Sequence, residues 1–442
     1  MPEQLFTPEQ LLEAVTPPCD LAAKALEAGD TPRLRFFLGR MSVGHFELYY
    51  GYVHWLARLA GKVLLDRGET CLEELLSHVT RFIVAPMAED LKGEEGEKAA
   101  VAGITSLWSV QLAPVTFLEE TRDEVAVNLS PCGSGGRLLL DSWDLLAPRR
   151  YPRTGAGTPV FCRVCEHFRR AVNEAAGGPF WRVEPCSARP GFCRMIFRKQ
   201  RARGERLFSG DEIEAFTTPR CTRALRRLDQ GRTDLQDLIA GQHREWRPLH
   251  DLFCLFVTAV FSWADREQGP AYLSALVDDT YVTLFEMPYI THGLMDDRSL
   301  VRTLARNWHY HQASFRVTEE EDRFVFHLDP CGSGGRLNRG ELGGNGRYPY
   351  GKGMLREIEQ PAVHTFMRAS FPTYCVHCAA TNRDQLLGKP WAFLVDGDAP
   401  RAPAWSCRQY LYKKTAPRRA PPRLLEQVGL SRAEPLKKGY SS

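Results

Sequence analysis

The chain is predicted to be an α+β protein: a tandem duplication of one domain, a helical pair packed on an antiparallel sheet, with the copies related by a pseudo-twofold. Three observations predict this. The heptapeptide PCGSGGR occurs at Pro131–Arg137 and again at Pro330–Arg336. Around it, RDEVAVNLSPCGSGGRL from Arg122 lies over EDRFVFHLDPCGSGGRL from Glu321 at a constant offset. Finally, long stretches with apolar residues at helical spacing precede each loop, and short alternating runs flank it.

Taken in chain order, residues 1–35 are expected to form a helical arm. Repeat 1 is placed at 36–198 and opens with a helix over 45–82. SLWSVQL and EVAVNL are read as a hairpin joined through EETRDE, which delivers the first PCGSGGR loop. Arg150-Tyr151-Pro152 and the Cys162–Cys165 pair follow, and CRMIFRK from Cys193 ends the copy as a strand. Residues 199–232 form a basic helical connector in which Ser209 and Glu212 make a capping box. Repeat 2, at 233–414, mirrors the first. It has helix 236–276, the hairpin NWHYHQASFRV with RFVFHL, the second loop, Arg347-Tyr348-Pro349, the Cys375–Cys378 pair and the strand CRQYLYK from Cys407. Each copy is roughly 180 residues, a single-domain size, and far above the period of a solenoid. Residues 415–442, rich in Pro, Arg and Lys, read as a disordered tail.

Composition limits the function classes. The chain has 442 residues, 43% apolar and 25% charged, with a net charge of +3. It is globular, and too near neutral for nucleic acid to be the expected partner. The basic stretches Arg198–Arg206 and that from Lys413 lack interleaved aromatics and read as solvated linker and tail. The longest apolar run, Leu252–Ala264, is too short to cross a bilayer, and the first residues lack the order of a secretory signal. A cytoplasmic protein without a membrane partner is expected. No dinucleotide fingerprint, Walker lysine, HExxH or GxSxG elbow occurs, which disfavours nucleotide-driven chemistry.

Cysteine carries the strongest signal. Of 13 cysteines, eight recur between copies: Cys132, Cys162, Cys165 and Cys193 against Cys331, Cys375, Cys378 and Cys407. Cys19, Cys71, Cys186, Cys221 and Cys254 are read as unmatched. A thiol that only fills space is replaceable by Ala, Val or Ser, so recurrence of all four points to metal ligation. Zinc is the expected ion, and an iron–sulfur cluster is the alternative. A catalytic reading rests on the same loop, whose glycine amides could lower a cysteine pKa or hold an oxyanion. Because copy two carries His327, Asp329 and His377 where copy one has Asn128, Ser130 and Arg163, chemistry is assigned to Cys331, His327, Asp329, His377 and Arg336. His309 and His311 are placed on one strand face near His327. His45 with Glu47, and His243 with Glu245, recur on helices.

The helices, the glycine corner and the late Cys-Arg strand resemble those of bacterial L-2-amino-thiazoline-4-carboxylic acid hydrolase-like and 4-vinyl reductase-like small-molecule-binding proteins. The resemblance implies a small-molecule domain with cysteine chemistry. The functional expectation is therefore a metalloprotein acting on a small organic molecule by hydrolysis or lyase-type cleavage. The alternatives are a non-enzymatic metal or ligand sensor and an iron–sulfur redox protein.

Overall fold

The computed structural model describes residues 4–91, 94–111, 113–141, 147–153, 157–185, 189, 191–199, 206–343, 346–351, 353–387, 394–398, 401–402, 404–415 and 421–430. The chain divides into two compact units. The first is Cys19–Phe256; the second joins Met1–Pro18 to Val257–Ser442. Antiparallel sheets and helices make up both, as an α+β protein requires.

Helix α1 (Pro8–Val15) belongs to the second unit. The first unit continues with α2 (Pro18–Glu27) and α3 (Thr31–Val84). α3 bends at Gly68, whose φ of 85° and ψ of 175° lie in a region essentially closed to residues with a Cβ. Next come α4 (Glu94–Val110), β1 (Val115–Glu120), β2 (Glu124–Leu129), α5 (Gly135–Leu140), α6 (Phe161–Ala175), β3 (Trp181–Pro185) and β4 (Cys193–Arg198). The sheet order is β1-β2-β4-β3, antiparallel throughout. Val125, Val127 and Leu129 alternate onto the buried face with Met195 and Phe197, and α6 covers them with Ala171 and Val172. α7 (Gly210–Thr217), α8 (Arg220–Asp229) and α9 (Gln236–Ala240) follow, and α10 (Gln242–Trp263) begins in this unit. The capping box read at Ser209 is present, with Ser209 and Glu212 side chains each accepting the other's backbone N–H.

After α10 the second unit contains α11 (Pro270–Val277), α12 (Thr283–Leu294), α13 (Asp297–Tyr310), β5 (Phe315–Glu319), β6 (Arg323–Leu328), α14 (Gly334–Asn338), β7 (Glu357–Ile358), β8 (Phe371–Pro372), α15 (Val376–Leu386), β9 (Leu394–Val395), β10 (Cys407–Tyr412) and α16 (Pro422–Gln427). Its main sheet has the order β5-β6-β10-β9, again antiparallel. This is the same order as in the first unit.

Two expectations are corrected. SLWSVQL and NWHYHQ are not strands: Ser106–Val110 ends α4 and Asn307–Tyr310 ends α13. The hairpin partners of β2 and β6 begin only at Val115 and Phe315. Short apolar runs fit both periods, and here the helical one wins. Leu300, Val301, Leu304 and Ala305 are buried on one face of α13, while the Asp296 side chain caps its first turn. His309 and His311 therefore share no strand face. The supposed tail is also partly ordered: α16 buries Leu424, and Val428 beyond it is buried as well. Residues 416–420 and 431–442 of that tail, and 200–205 of the connector, lie outside the described residues. Among the described residues no helix is long and apolar enough to cross a membrane.

Candidate metal centre

In the first unit, β2 ends at the loop and hands its chain to α5, so Cys132 stands just below the first turn of a helix. The loop is bent around its own sulfur: the Gly136 N–H points at Cys132 Sγ at 2.9 Å. A Cβ on Gly135 would meet Cys162 Sγ at 2.5 Å, and one on Gly136 would meet Cys132 Sγ at 2.9 Å and overlap the Gly191 carbonyl. The glycines are thus required by two thiols and one backbone carbonyl pressing on the loop. Cys162 lies in the first turn of α6 and Cys165 just beyond it, three residues apart and on one face. α6 is held to α3 by the Arg163–Glu69 ion pair (2.6 Å) and by His167 Nε2 to Glu73 (2.8 Å). Cys193 opens β4, where it pairs with Leu129, the last residue of β2.

The second unit repeats this construction. Gly335 N–H points at Cys331 Sγ at 3.0 Å. A Cβ on Gly334 would meet Cys375 Sγ at 2.8 Å, and one on Gly335 would meet the Trp405 carbonyl at 2.8 Å and Cys331 Sγ at 3.4 Å. Cys375 precedes α15 and Cys378 lies in its first turn. Cys407 opens β10 opposite Leu328. Both loops start at a cis X–Pro peptide, Ser130–Pro131 and Asp329–Pro330.

Within each set the thiols lie near enough to shift one another's titration. Burial, and after it the charges of Cys132 and Cys165, pushes the Cys162 thiol up. Burial and Cys132 raise Cys165 to about 12. The hydrogen bond that Cys193 gives to Cys132 raises Cys193 and is the largest cause lowering Cys132, to about 7. Burial opposes that fall, and the Gly136 and Ser134 amides assist it. In the second set, burial raises Cys375, Cys378 and Cys407 well above the ordinary thiol. Cys378 and Cys331 add to the shift at Cys375, Cys407 and Cys331 at Cys378, and Cys331 and Cys375 at Cys407. The described cysteines are free thiols.

Among the described residues, no group of three or more His, Cys, Asp or Glu is placed so that it could hold a metal ion. Each unit nonetheless offers four cysteines, one sulfur served by a backbone N–H and two near a helix N-terminus, with glycines where a Cβ would collide with sulfur.

The residues assigned to chemistry fall in different places. Cys331 belongs to the second tetrad. His377 Nε2 lies 3.5 Å from Cys378 Sγ, while its Nδ1 bonds the Tyr374 carbonyl at 2.6 Å; burial lowers it to about 4. His327 sits on β6 between Arg316 and Arg408, hydrogen-bonded to Thr318 at 3.2 Å. Burial and those two arginines lower its pKa. Asp329 is exposed and paired with Arg339. Arg336 is buried and donates to the Gly332 carbonyl at 3.3 Å. His311, at the end of α13, reaches Ser333 in the second loop at 3.1 Å, and a Cβ on Gly332 would overlap its carbonyl. His309 instead bonds the Val15 carbonyl at 2.7 Å. In the first unit His45 stacks on Trp246 with ring centroids 4.1 Å apart, His243 Nε2 lies 2.7 Å from Cys19 Sγ, and Glu245 accepts the Arg220 backbone N–H.

Two buried ion pairs were missed in the sequence. Lys199 Nζ lies 2.7 Å from Glu120, and Lys413 Nζ lies 2.7 Å from Glu319. Lys199 and Lys413 each follow the recurring Cys-Arg strand, and Glu120 and Glu319 stand at the offset of the loops, so the signal was present. It was masked by reading both lysines as solvated. No protein-family model, no curated protein and no solved structure matches the chain.

Proposed function

We propose that the chain is a tandem duplication of one cysteine-site domain, and that each copy binds one metal ion through four thiolates, zinc being the best suited. The carrying observation is that in each unit the loop glycines press on two recurring sulfurs, Cys132 and Cys162 in one and Cys331 and Cys375 in the other. The loop geometry, matched between units at Gly136 and Gly335, supports duplication, as does the identical strand order. Four thiolates close the coordination shell of zinc. On this reading the ions hold the folds together or sense metal, and the protein is a binding protein before it is a catalyst. The metal supplies charge compensation for buried sulfur. The chain supplies the Gly136 and Gly335 amides, which point at Cys132 and Cys331.

Hydrolysis or lyase-type cleavage of a small molecule, and the resemblance that implies it, fit a second reading in which one thiol of the second set stays off the ion. His377, neutral and 3.5 Å from Cys378, is the observation that favours it.

Elemental analysis of protein purified under reducing conditions separates the readings. Two zinc ions per chain are expected, with Cys193→Ser and Cys407→Ser each losing one. Iron with a visible absorption band would assign clusters instead. A chain that carries no metal and takes none up while its thiol titre stays unchanged would sink the proposal.

A further inference from the structure

The first residues of the chain repeat a later segment in sequence. Leu5-Phe6-Thr7 stands 202 residues before Leu207-Phe208-Ser209, and at the same interval Gln10 precedes Glu212, Thr16-Pro17 precedes Thr218-Pro219, Cys19 precedes Cys221 and Gly29 precedes Gly231. Both segments start a helix in the same way. Thr7 with Gln10, and Ser209 with Glu212, form complete capping boxes. Gly29 and Gly231 each have positive φ, 67° and 74°. Cys19 and Cys221, read above as unmatched, are thus counterparts.

The two segments dock by the same chemistry. In the second unit the buried Glu319 carboxylate, paired with Lys413, accepts the backbone N–H groups of Leu5 (2.7 Å) and Phe6 (3.1 Å). Phe6 packs edge-on against Phe324 at 5.7 Å with Arg298 over its ring at 5.3 Å. In the first unit the buried Glu120 carboxylate, paired with Lys199, accepts the Leu207 N–H. Phe208 packs against Phe216 at 4.9 Å, with Lys98 over its ring at 5.7 Å. A buried carboxylate held by a lysine and aimed at backbone N–H is a recognition device for extended chain, and in both units a cation lies over the phenylalanine ring beside it; Phe216 itself belongs to the docked segment.

We propose that Glu120–Lys199 and Glu319–Lys413 are clasps for a Leu-Phe-Ser/Thr helix-start segment, and that the two repeats exchange these segments. The arm that opens repeat 1 fills the clasp of lobe 2, and the arm that opens repeat 2 fills that of lobe 1. The molecule is then a covalently joined form of a domain-swapped homodimer, and the partner each clasp fits is a second copy of the repeat. This rests on the duplication reading and is independent of the metal.

Amide hydrogen exchange on the full-length chain tests it. Glu319→Gln removes the charged acceptor of Leu5 and Phe6, and should accelerate their exchange at least tenfold while leaving Leu207 unchanged. Glu120→Gln should do the converse. Phe6→Ala leaves the Glu319–Lys413 pair intact and should also release Leu5, which covers a Glu319 variant that folds poorly. Zinc content, measured on the same samples, should stay at the parent value, so that failure of the metal reading is seen separately. Unchanged Leu5 and Phe6 exchange in both Glu319→Gln and Phe6→Ala, or release of Leu5 by Glu120→Gln, would overturn the exchange.

Discussion

At Gly135 and Gly334 the space for a side chain is taken by sulfur. Adding a single methyl group there forces Cys162 or Cys375 out of position, since real Cβ atoms do not approach sulfur at 2.5 or 2.8 Å. Gly135→Ala and Gly334→Ala should each cost about 1–3 kcal/mol and each lose one metal equivalent, read by urea unfolding and elemental analysis. Gly39→Ala, with nothing within 4 Å of its Cβ and no positive φ, should keep both metals. Eight ligand candidates were legible in the sequence because each recurs beside a fixed neighbour. The lysine clasps were not, because charge alone gives no sign of burial; only a partner at the right interval does, and Glu120 and Glu319 are that partner.

Among the elements, the strands β2, β4, β6 and β10 were legible and their sheet neighbours were not. EVAVNL and RFVFHL carry β-branched and aromatic residues at period two beside a turn, and they form β2 and β6 with the expected bounds. SLWSVQL is only seven residues long, and a window that short does not separate the two periods; what decided it was the buried row begun earlier in α4 by Val101 and Ile104. The arm over Pro8–Val15 was half legible. Its capping box is local, but its partner lies 314 residues away. α3 gives a prediction of its own. At Gly68, φ of 85° with ψ of 175° excludes a Cβ, so Gly68→Ala should destabilise by about 1–3 kcal/mol. Gly103→Ala, on an exposed turn of α4 with open space around it, should stabilise by about 0.5–1 kcal/mol. Opposite shifts in melting temperature check the pair, and a stabilising Gly68→Ala would contradict the bend.

For the whole molecule, the tetrads make stability depend on pH in opposite senses with and without metal. In the metal-free chain, Cys165 is raised to about 12 and Cys375, Cys378 and Cys407 are raised as well. The folded chain therefore holds protons that the unfolded chain releases near about pH 8.5. That stability is complete below the unfolded value and is lost as pH rises toward the folded one. Cys132, lowered to about 7, acts the other way: its contribution is present above the unfolded value and lost as pH falls through 7. Raised thiols outnumber it, so the metal-free melting temperature should fall on the alkaline side. With zinc bound the ligands are thiolates and protons compete for them, so the loaded chain should lose stability on the acid side. Melting curves from pH 5 to 10, with zinc and with chelator, should cross; parallel curves would show that the tetrads hold no ion.

The reach of the first arm also sets an order of events during synthesis. Leu5 is made 314 residues before Glu319, which takes its N–H and that of Phe6. At about 5–20 residues per second the wait is roughly 15–60 s. Lys413, which neutralises that carboxylate, comes later still. The Glu120–Lys199 clasp has no such delay, because Leu207 follows Lys199 within a few residues. The clasp on Leu207 can therefore close as it emerges, while Phe6 stays uncovered until Glu319 and Lys413 have both been made.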